Sequence, residues 1–389
     1  MTAKQTLVSA SLVVLLVASS ESHADPEVPA PTGEVRPDDP ITPAPVIGPA
    51  KPMPKTLPRE PTGSFSIGAG YHVDDRFIAT AQVAQDDLFL TGTRLALTMK
   101  LSRREQLALV RFEDPTLLGR NVRLRADLYN HRLVYPGPGF TREATGGDLA
   151  LSVPLTRHAH AFFGYRIEQV AVELGGESLV ARGVPGAVPG QPLWRGGRIA
   201  SLRAGLAYST LDAPDMPTRG TSLGTSLELA DRAFGSEVQL LRTSAWASHH
   251  RQLGPFTLHL GGTASSVSTS APLSERLHFD GSDDIRGYAP GAVGPRDLMT
   301  GMPLGGNFKY TARGELELPL IPRWGLSVAG FVDAGGIYGQ DKATDGGGSA
   351  ASAGFGMIWR TPIGALRFDV AFPLDGGSPR FQFSLGGSW

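Results

Sequence analysis

The sequence predicts an all-β fold, a transmembrane antiparallel up-and-down β-barrel of about sixteen strands. Three observations carry that prediction. Apolar and charged residues alternate with period two over most of the chain, prolines recur at turn spacing, and the first residues read as an export signal. Composition agrees: 49 glycines and a charged fraction of 19% suit many short strands and turns better than a helical enzyme.

The N-terminus comes first. Lys4 precedes a mostly apolar run from Leu7 to Ala18, and Ser22-His23-Ala24 places small residues where a signal peptidase reads. Residues 1–24 are therefore expected to be a signal peptide, with the mature chain starting at Asp25. The run is too short for the roughly 20 apolar residues a spanning helix needs. From Asp25 to Thr62 there are twelve prolines in 38 residues and no aromatic residue, so 25–62 is expected to be an extended periplasmic linker without a core.

At Gly63 the pattern changes, and 63–389 is expected to be the barrel. In Ala365–Phe372, Leu366, Phe368, Val370 and Phe372 point one way and Arg367 and Asp369 the other. In Val122–Leu128, Val122, Leu124, Ala126 and Leu128 oppose Arg123, Arg125 and Asp127. Arg380–Trp389 sets Phe381, Phe383, Leu385 and Trp389 against Arg380, Gln382 and Ser384. A soluble sandwich also alternates. The export signal, the aromatic C-terminal residue and the proline period favour a membrane barrel. Pro115, Pro154, Pro217, Pro255, Pro322 and Pro362 fall at predicted turns with intervals of 39, 63, 38, 67 and 40 residues. An interval near 40 holds one strand up, a loop, one strand down and a tight turn. The two longer intervals hold long loops, near Glu173–Gly197 and Thr269–Gly305.

Several chemistries are set aside. There is no cysteine, hence no disulfide or thiolate chemistry, and a formal charge of −1 gives no sign of a nucleic-acid partner. Gly220-Thr221-Ser222-Leu223-Gly224 spells G-x-S-x-G, but a strand pattern follows it instead of the helix a nucleophile elbow requires. His249 and His250 are adjacent in a strand pattern, point to opposite faces and cannot chelate together. Trp246, Trp324, Trp359 and Trp389 read as girdle or lipid-facing aromatics. No catalytic, cofactor or metal residues are expected.

Asp284-Ile285-Arg286-Gly287-Tyr288, followed by Gly294-Pro295-Arg296-Asp297, closely resembles the loop signature of the BamA/TamA-type outer-membrane assembly barrels and the two-partner secretion transporters. The likeness runs along the chain, through Ser64–Tyr71, Phe112-Glu113-Asp114-Pro115, Pro217-Thr218-Arg219-Gly220, Phe331-Val332-Asp333-Ala334-Gly335 and Phe381–Trp389. It implies a bacterial outer-membrane location and a long loop folded back into the lumen. Arg286, flanked by Gly287 and Tyr288, is then the loop arginine, Asp333 its strand aspartate, and Glu315 or Glu317 the partner on the preceding strand. Parity places both glutamates on the lumen face with Lys309 and Arg313. The family also carries periplasmic POTRA domains, for which the 38-residue linker is too short, so the chain resembles a member without them.

The function implied is assistance to the insertion or export of outer-membrane proteins. It would use a lateral seam between the first strand, with Phe65, Ile67, Gly68 and Gly70, and the last, with Phe381, Phe383, Leu385, Gly386 and Trp389. Expected partners are the lipid bilayer, unfolded outer-membrane protein clients and a separate periplasmic or lipoprotein partner. The alternatives are a passive pore or structural barrel subunit, and a transporter of the two-partner secretion type.

Overall fold

The computed structural model describes residues 63–88, 90–174, 196–213, 216–298, 301–339, 345–361 and 364–385. The expected signal peptide and linker, the loop interior near Glu173–Gly197, Pro362, Gly386 and Trp389 lie outside the described residues.

Sixteen strands follow one another. They are β1 (Gly63–His72), β2 (Arg76–Leu88), β3 (Thr93–Leu101), β4 (Glu105–Asp114), β5 (Arg123–Tyr135), β6 (Phe140–Pro154), β7 (Ala159–Leu174) and β8 (Gly196–Ser209). The second half comprises β9 (Gly220–Ala230), β10 (Leu240–Leu253), β11 (Phe256–Val267), β12 (Phe308–Ile321), β13 (Leu326–Tyr338), β14 (Gly347–Thr361), β15 (Gly364–Pro373) and β16 (Arg380–Leu385). Each strand hydrogen-bonds its sequence neighbour, antiparallel, in a single sheet ordered β1 to β16. The result is a nearly closed up-and-down barrel, as the alternation predicts.

Burial is inverted relative to a water-soluble fold. Leu128, Val332 and Phe355 are 66%, 55% and 60% exposed on the outer face, whereas Arg166, Glu315 and Asp333 are at most 1% exposed inside. Ionisable side chains are rarely fully buried unless paired. Here they line a lumen in which partners are abundant, while the apolar band faces lipid.

The prolines fall on one side of the barrel. Pro115, Pro217 and Pro255 lie in the turns β4–β5, β8–β9 and β10–β11; Pro154 closes β6, and Pro322 opens the one-turn helix between β12 and β13. In the β8–β9 turn, Asp212 accepts hydrogen bonds from the Thr218 hydroxyl at 2.6 Å and from the backbone N–H groups of Ala213, Thr218 and Arg219. Desolvation pushes this carboxyl up, but the four donors together outweigh it and hold it down at about 2.

One expectation needs correction here. Trp246 does not face lipid: on β10 it shares parity with Arg242 and His250, both turned inward, and it lies over Gly224 of β9, its register partner. A Cβ at Gly224 would come within 2.2 Å of the Trp246 ring. The last glycine of the G-x-S-x-G string therefore seats an indole, and the whole string lies within β9. Trp324 and Trp359 do lie outside, where the Trp359 indole N–H donates to the Trp324 carbonyl at 3.0 Å.

Candidate functional site: a loop arginine in the barrel lumen

The segment between Val267 and Phe308 turns inward instead of away from the barrel. It contains one-turn 3-10 helices at Leu273–Glu275 and Gly281–Asp283, and the bridges Leu277–Gly306 and Arg296–Pro303 fold it into a hairpin-like shape. Phe279, Ile285, Tyr288 and Val293 pack with Ile337 of β13 into a small apolar core within the lumen. Gly335 makes room for this packing: a Cβ there would sit 2.7 Å from the Tyr310 carbonyl oxygen and 3.2 Å from Ile285. Gly287 adopts a left-handed φ of +95°, a conformation that favours glycine, and lies against Ala371 of β15.

That seating carries Arg286 to the wall. Its Nε and Nη2 donate to the two oxygens of Asp333, each at 2.7 Å, and its backbone N–H reaches Asp333 Oδ2 at 3.1 Å. Nη1 donates to Glu315 Oε2 at 2.7 Å and lies 3.7 Å from Asp369. The guanidinium also lies 3.6 Å from the centre of the Phe331 ring. A planar fork with five donors matches this arrangement; a lysine ammonium would not. Tyr288 donates its hydroxyl to the Ala351 carbonyl of β14 at 3.1 Å.

Glu317 is not part of the group around Arg286. Two residues along β12, it binds Arg360 of β14 through both carboxylate oxygens, at 2.7 and 2.8 Å, and lies 3.6 Å from His259. Strand residues i and i+2 share a face but stand about 7 Å apart along the strand. Parity selects the face; the depth reached by the loop selects Glu315. Arg367 and Asp369 of β15 complete the site. Arg367 binds Glu315 and, through Nε at 2.7 Å, Asp369, so two arginines and three carboxylates interlock. Parity puts both on the polar face of their strand, and nothing local in the sequence indicates which wall they meet.

A second anchor was missed by sequence reasoning. Glu275 of the loop accepts from Arg142 Nε at 2.8 Å and lies 3.4 Å from Arg242 Nη2, while Arg142 also binds Glu168, which takes the Tyr129 hydroxyl at 2.8 Å. Between the anchors, His278 is buried against Tyr135 and Phe140, its Nε2 donating to the Leu273 carbonyl at 2.9 Å. Burial is the main reason its imidazole is pushed down to about 4, aided by Lys309 and Arg276 and opposed by the Leu273 bond and Asp280.

Strands β1 and β16 form the two ends of the sheet. Among the described residues no ladder joins them; they meet where the rings of Tyr71 and Phe383 lie 5.8 Å apart. Phe65 and Ile67 are exposed beside this junction, as is Phe381, and Phe383 stacks on Phe368 of β15 at 4.9 Å. Gly68 faces Thr80, its register partner on β2, whose hydroxyl would lie 2.4 Å from an added Cβ.

Comparison with known proteins follows the same geometry. The Omp85 superfamily domain matches residues 88–389, which includes the inward loop and the wall it binds. The chain belongs to the Omp85 superfamily. This Omp85 barrel is 26% identical over 349 residues to the outer membrane protein assembly factor BamA of Nitratidesulfovibrio vulgaris, a match covering 84% of this chain and 42% of the relative. It is 25% identical over 393 residues to BamA of Neisseria meningitidis serogroup B, covering 85% and 47%. The chain thus spans less than half the length of these relatives. Among solved structures, BamA from Haemophilus ducreyi lacking POTRA domains 1–3 superposes with a TM-score of 0.71 at 20% identity, over 84% of this chain and 70% of the other. CdiB from Escherichia coli gives 0.57 at 14% identity, over 85% and 63%. Both share the fold. The Omp85 barrel described here is a bacterial outer-membrane protein.

Proposed function

We propose that this Omp85 barrel assists the insertion or export of other proteins at the outer membrane through a lateral seam between β1 and β16. The observation that carries the reading is the unladdered junction: sixteen strands pair in order, yet among the described residues no ladder joins the two end strands, which approach each other where Tyr71 meets Phe383. A strand edge with unpaired N–H and C=O groups templates an incoming strand by main-chain hydrogen bonds. Facing lipid, such an edge carries a strong drive to find a partner, since the bilayer offers none. The names of the BamA relatives agree with this role.

The loop clamp belongs to the same reading. Arg286, with Gly287 and Tyr288, ties the loop to Glu315, Asp333 and the Ala351 carbonyl and keeps β12, β13 and β14 in one arrangement. The partners are the lipid bilayer around the apolar band and unfolded outer-membrane proteins at the seam. A separate periplasmic or lipoprotein chain delivers the clients.

The test is depletion of the protein in its own cells, with folded outer-membrane proteins quantified, alongside single-channel recording of the purified barrel. A fall in folded clients with little conductance is expected. Unchanged clients with a large stable conductance would overturn the proposal in favour of a passive pore.

A further inference from the structure

The inward loop reaches both sides of the β1–β16 junction within a few residues. On one side, Ser282 donates its hydroxyl to Asp74 Oδ2 at 2.6 Å and its backbone N–H to the same oxygen at 3.1 Å; Asp74 lies in the turn between β1 and β2. His72, the last residue of β1, has its Nε2 3.1 Å from the Ser282 hydroxyl and 3.6 Å from Asp283. Arg104, in the β3–β4 turn, lies 3.4 Å from Asp280 and 3.8 Å from Asp75. On the other side, Arg286 is bound to β12 and β13, Tyr288 to β14, and Gly287 rests on β15.

We infer that this segment, Asp280–Tyr288, is a strap that holds the outer end of the seam closed, with Asp74 and Ser282 as its latch. The inference rests on the seam reading and adds to it a device that sets when the seam opens. The mechanics follow from sheet topology. Every strand from β2 to β15 is held by two neighbours, whereas among the described residues β1 is laddered to β2 alone. A tie from that turn to the loop, and through Arg286 to β12 and β13, restrains the free strand from across the junction. Two features show a contact shaped for close approach. Gly281 takes a left-handed φ of +76°, and a Cβ on it would lie 2.6 Å from Asp74 Oδ2 and 2.7 Å from Pro290. Arg313 of β12 reaches the carbonyl oxygens of Ser282 and Asp283 from the opposite wall, fixing the strap at the latch itself.

The arrangement of serine, histidine and aspartate is not a hydrolytic triad. The Ser282 proton goes to Asp74, and His72 Nδ1 faces the Asp74 backbone N–H at 3.4 Å, so no carboxylate orients the imidazole as a base. The group reads as a latch of short polar side chains, which a modest differential interaction can shift between closed and open populations.

The experiment places Tyr71→Cys and Phe383→Cys together in the full-length, membrane-inserted barrel, whose sequence has no other cysteine, and measures the rate of disulfide formation under mild oxidant. Asp74→Ala and, separately, the smaller change Ser282→Ala are added to that background. Asp212→Ala serves as the control, since it removes four turn hydrogen bonds far from the strap. A drop in rate of about threefold or more in both latch variants, with the control unchanged, is the expected result. Unchanged rates in the latch variants overturn the strap, as does equal slowing in the control. Client levels are scored separately: a loosened seam with unaltered clients upholds the strap and counts against the insertion reading alone.

Discussion

Glu275 and Arg286 anchor two parts of one loop with opposite charges: the acid binds Arg142 on the wall, and the base binds Asp333 and Glu315. Each anchor adds its charge to a wall patch that already carries ion pairs, Arg142 with Glu168 on one side and Arg367 with Glu315 and Asp369 on the other. Glu275 lies near Arg142 and Arg242, and Arg286 lies among Glu315, Asp333 and Asp369. The loop is thus as much a component of the lumen electrostatics as the strands are.

Arg286→Ala leaves Asp333 and Glu315 short of a partner in a buried setting, where removing one member of an ion pair costs about 3–5 kcal/mol. The folded, heat-modifiable form should convert to the slow-migrating form at a lower temperature, and protease should cut within 279–293. Arg286→Lys should recover only part of the loss, because one ammonium cannot replace the fork. Wild-type behaviour of both variants would show that the clamp does not hold the loop.

Glu275→Ala should act more weakly, by about 1–3 kcal/mol, since Arg142 keeps Glu168 when Glu275 is gone. The expected signature is spatial: new cleavage near 271–278 with the Arg286 region still protected. Limited proteolysis with mass mapping distinguishes this from release of the whole loop.

Gly356→Ala tests the outer members of the cluster. A Cβ on Gly356 would fall 1.8 Å from Asp369 Oδ1, so the carboxylate must swing away from Arg367. Overpacking of this kind costs about 1–3 kcal/mol. A thermal-stability measurement showing no loss would mean that Asp369 relocates freely.

Acid should loosen the loop through His278. Its imidazole is neutral when seated, pushed down mainly by burial to about 4, against 6.5 when the loop is released. The released state therefore binds a proton more readily between these values. The contribution is complete above about pH 6.5, declines as pH falls toward 4 and levels off below it. Protease sensitivity of the loop should rise over that window, and His278→Phe, which keeps a ring against Tyr135 and Phe140, should flatten the profile. An unchanged profile in the variant would assign the effect to other groups.

A cysteine pair at Tyr71 and Phe383 should cross-link readily, whereas Ile67 with Phe383 should not. Ile67 precedes Tyr71 by four residues on β1 and so lies about 13 Å away along the strand. Equal yields from the two pairs would indicate a sliding register at the junction.

Much of the molecule was legible from one-dimensional pattern. Period-two alternation depends only on the backbone, so Arg367, Asp369, Glu315 and Glu317 could be assigned to an inner face, and turn prolines could be counted into strand pairs without any contact being known. The same rule, applied to a bulky aromatic by residue type instead of parity, misplaced Trp246, whose place over Gly224 follows from its even spacing to Arg242 and His250. What the tertiary structure alone decided is partnership. Glu315 and Glu317 are equivalent by parity, and only the depth at which the loop enters the lumen gives Arg286 to the first and leaves Arg360 to the second. Glu275 carried no local sign of its role, because Arg142 lies 133 residues away and meets it only once the barrel has curved round to face its own loop. Alternation is written residue by residue along a strand. Ion pairing across a lumen depends on height and curvature, which exist only after the sheet has closed.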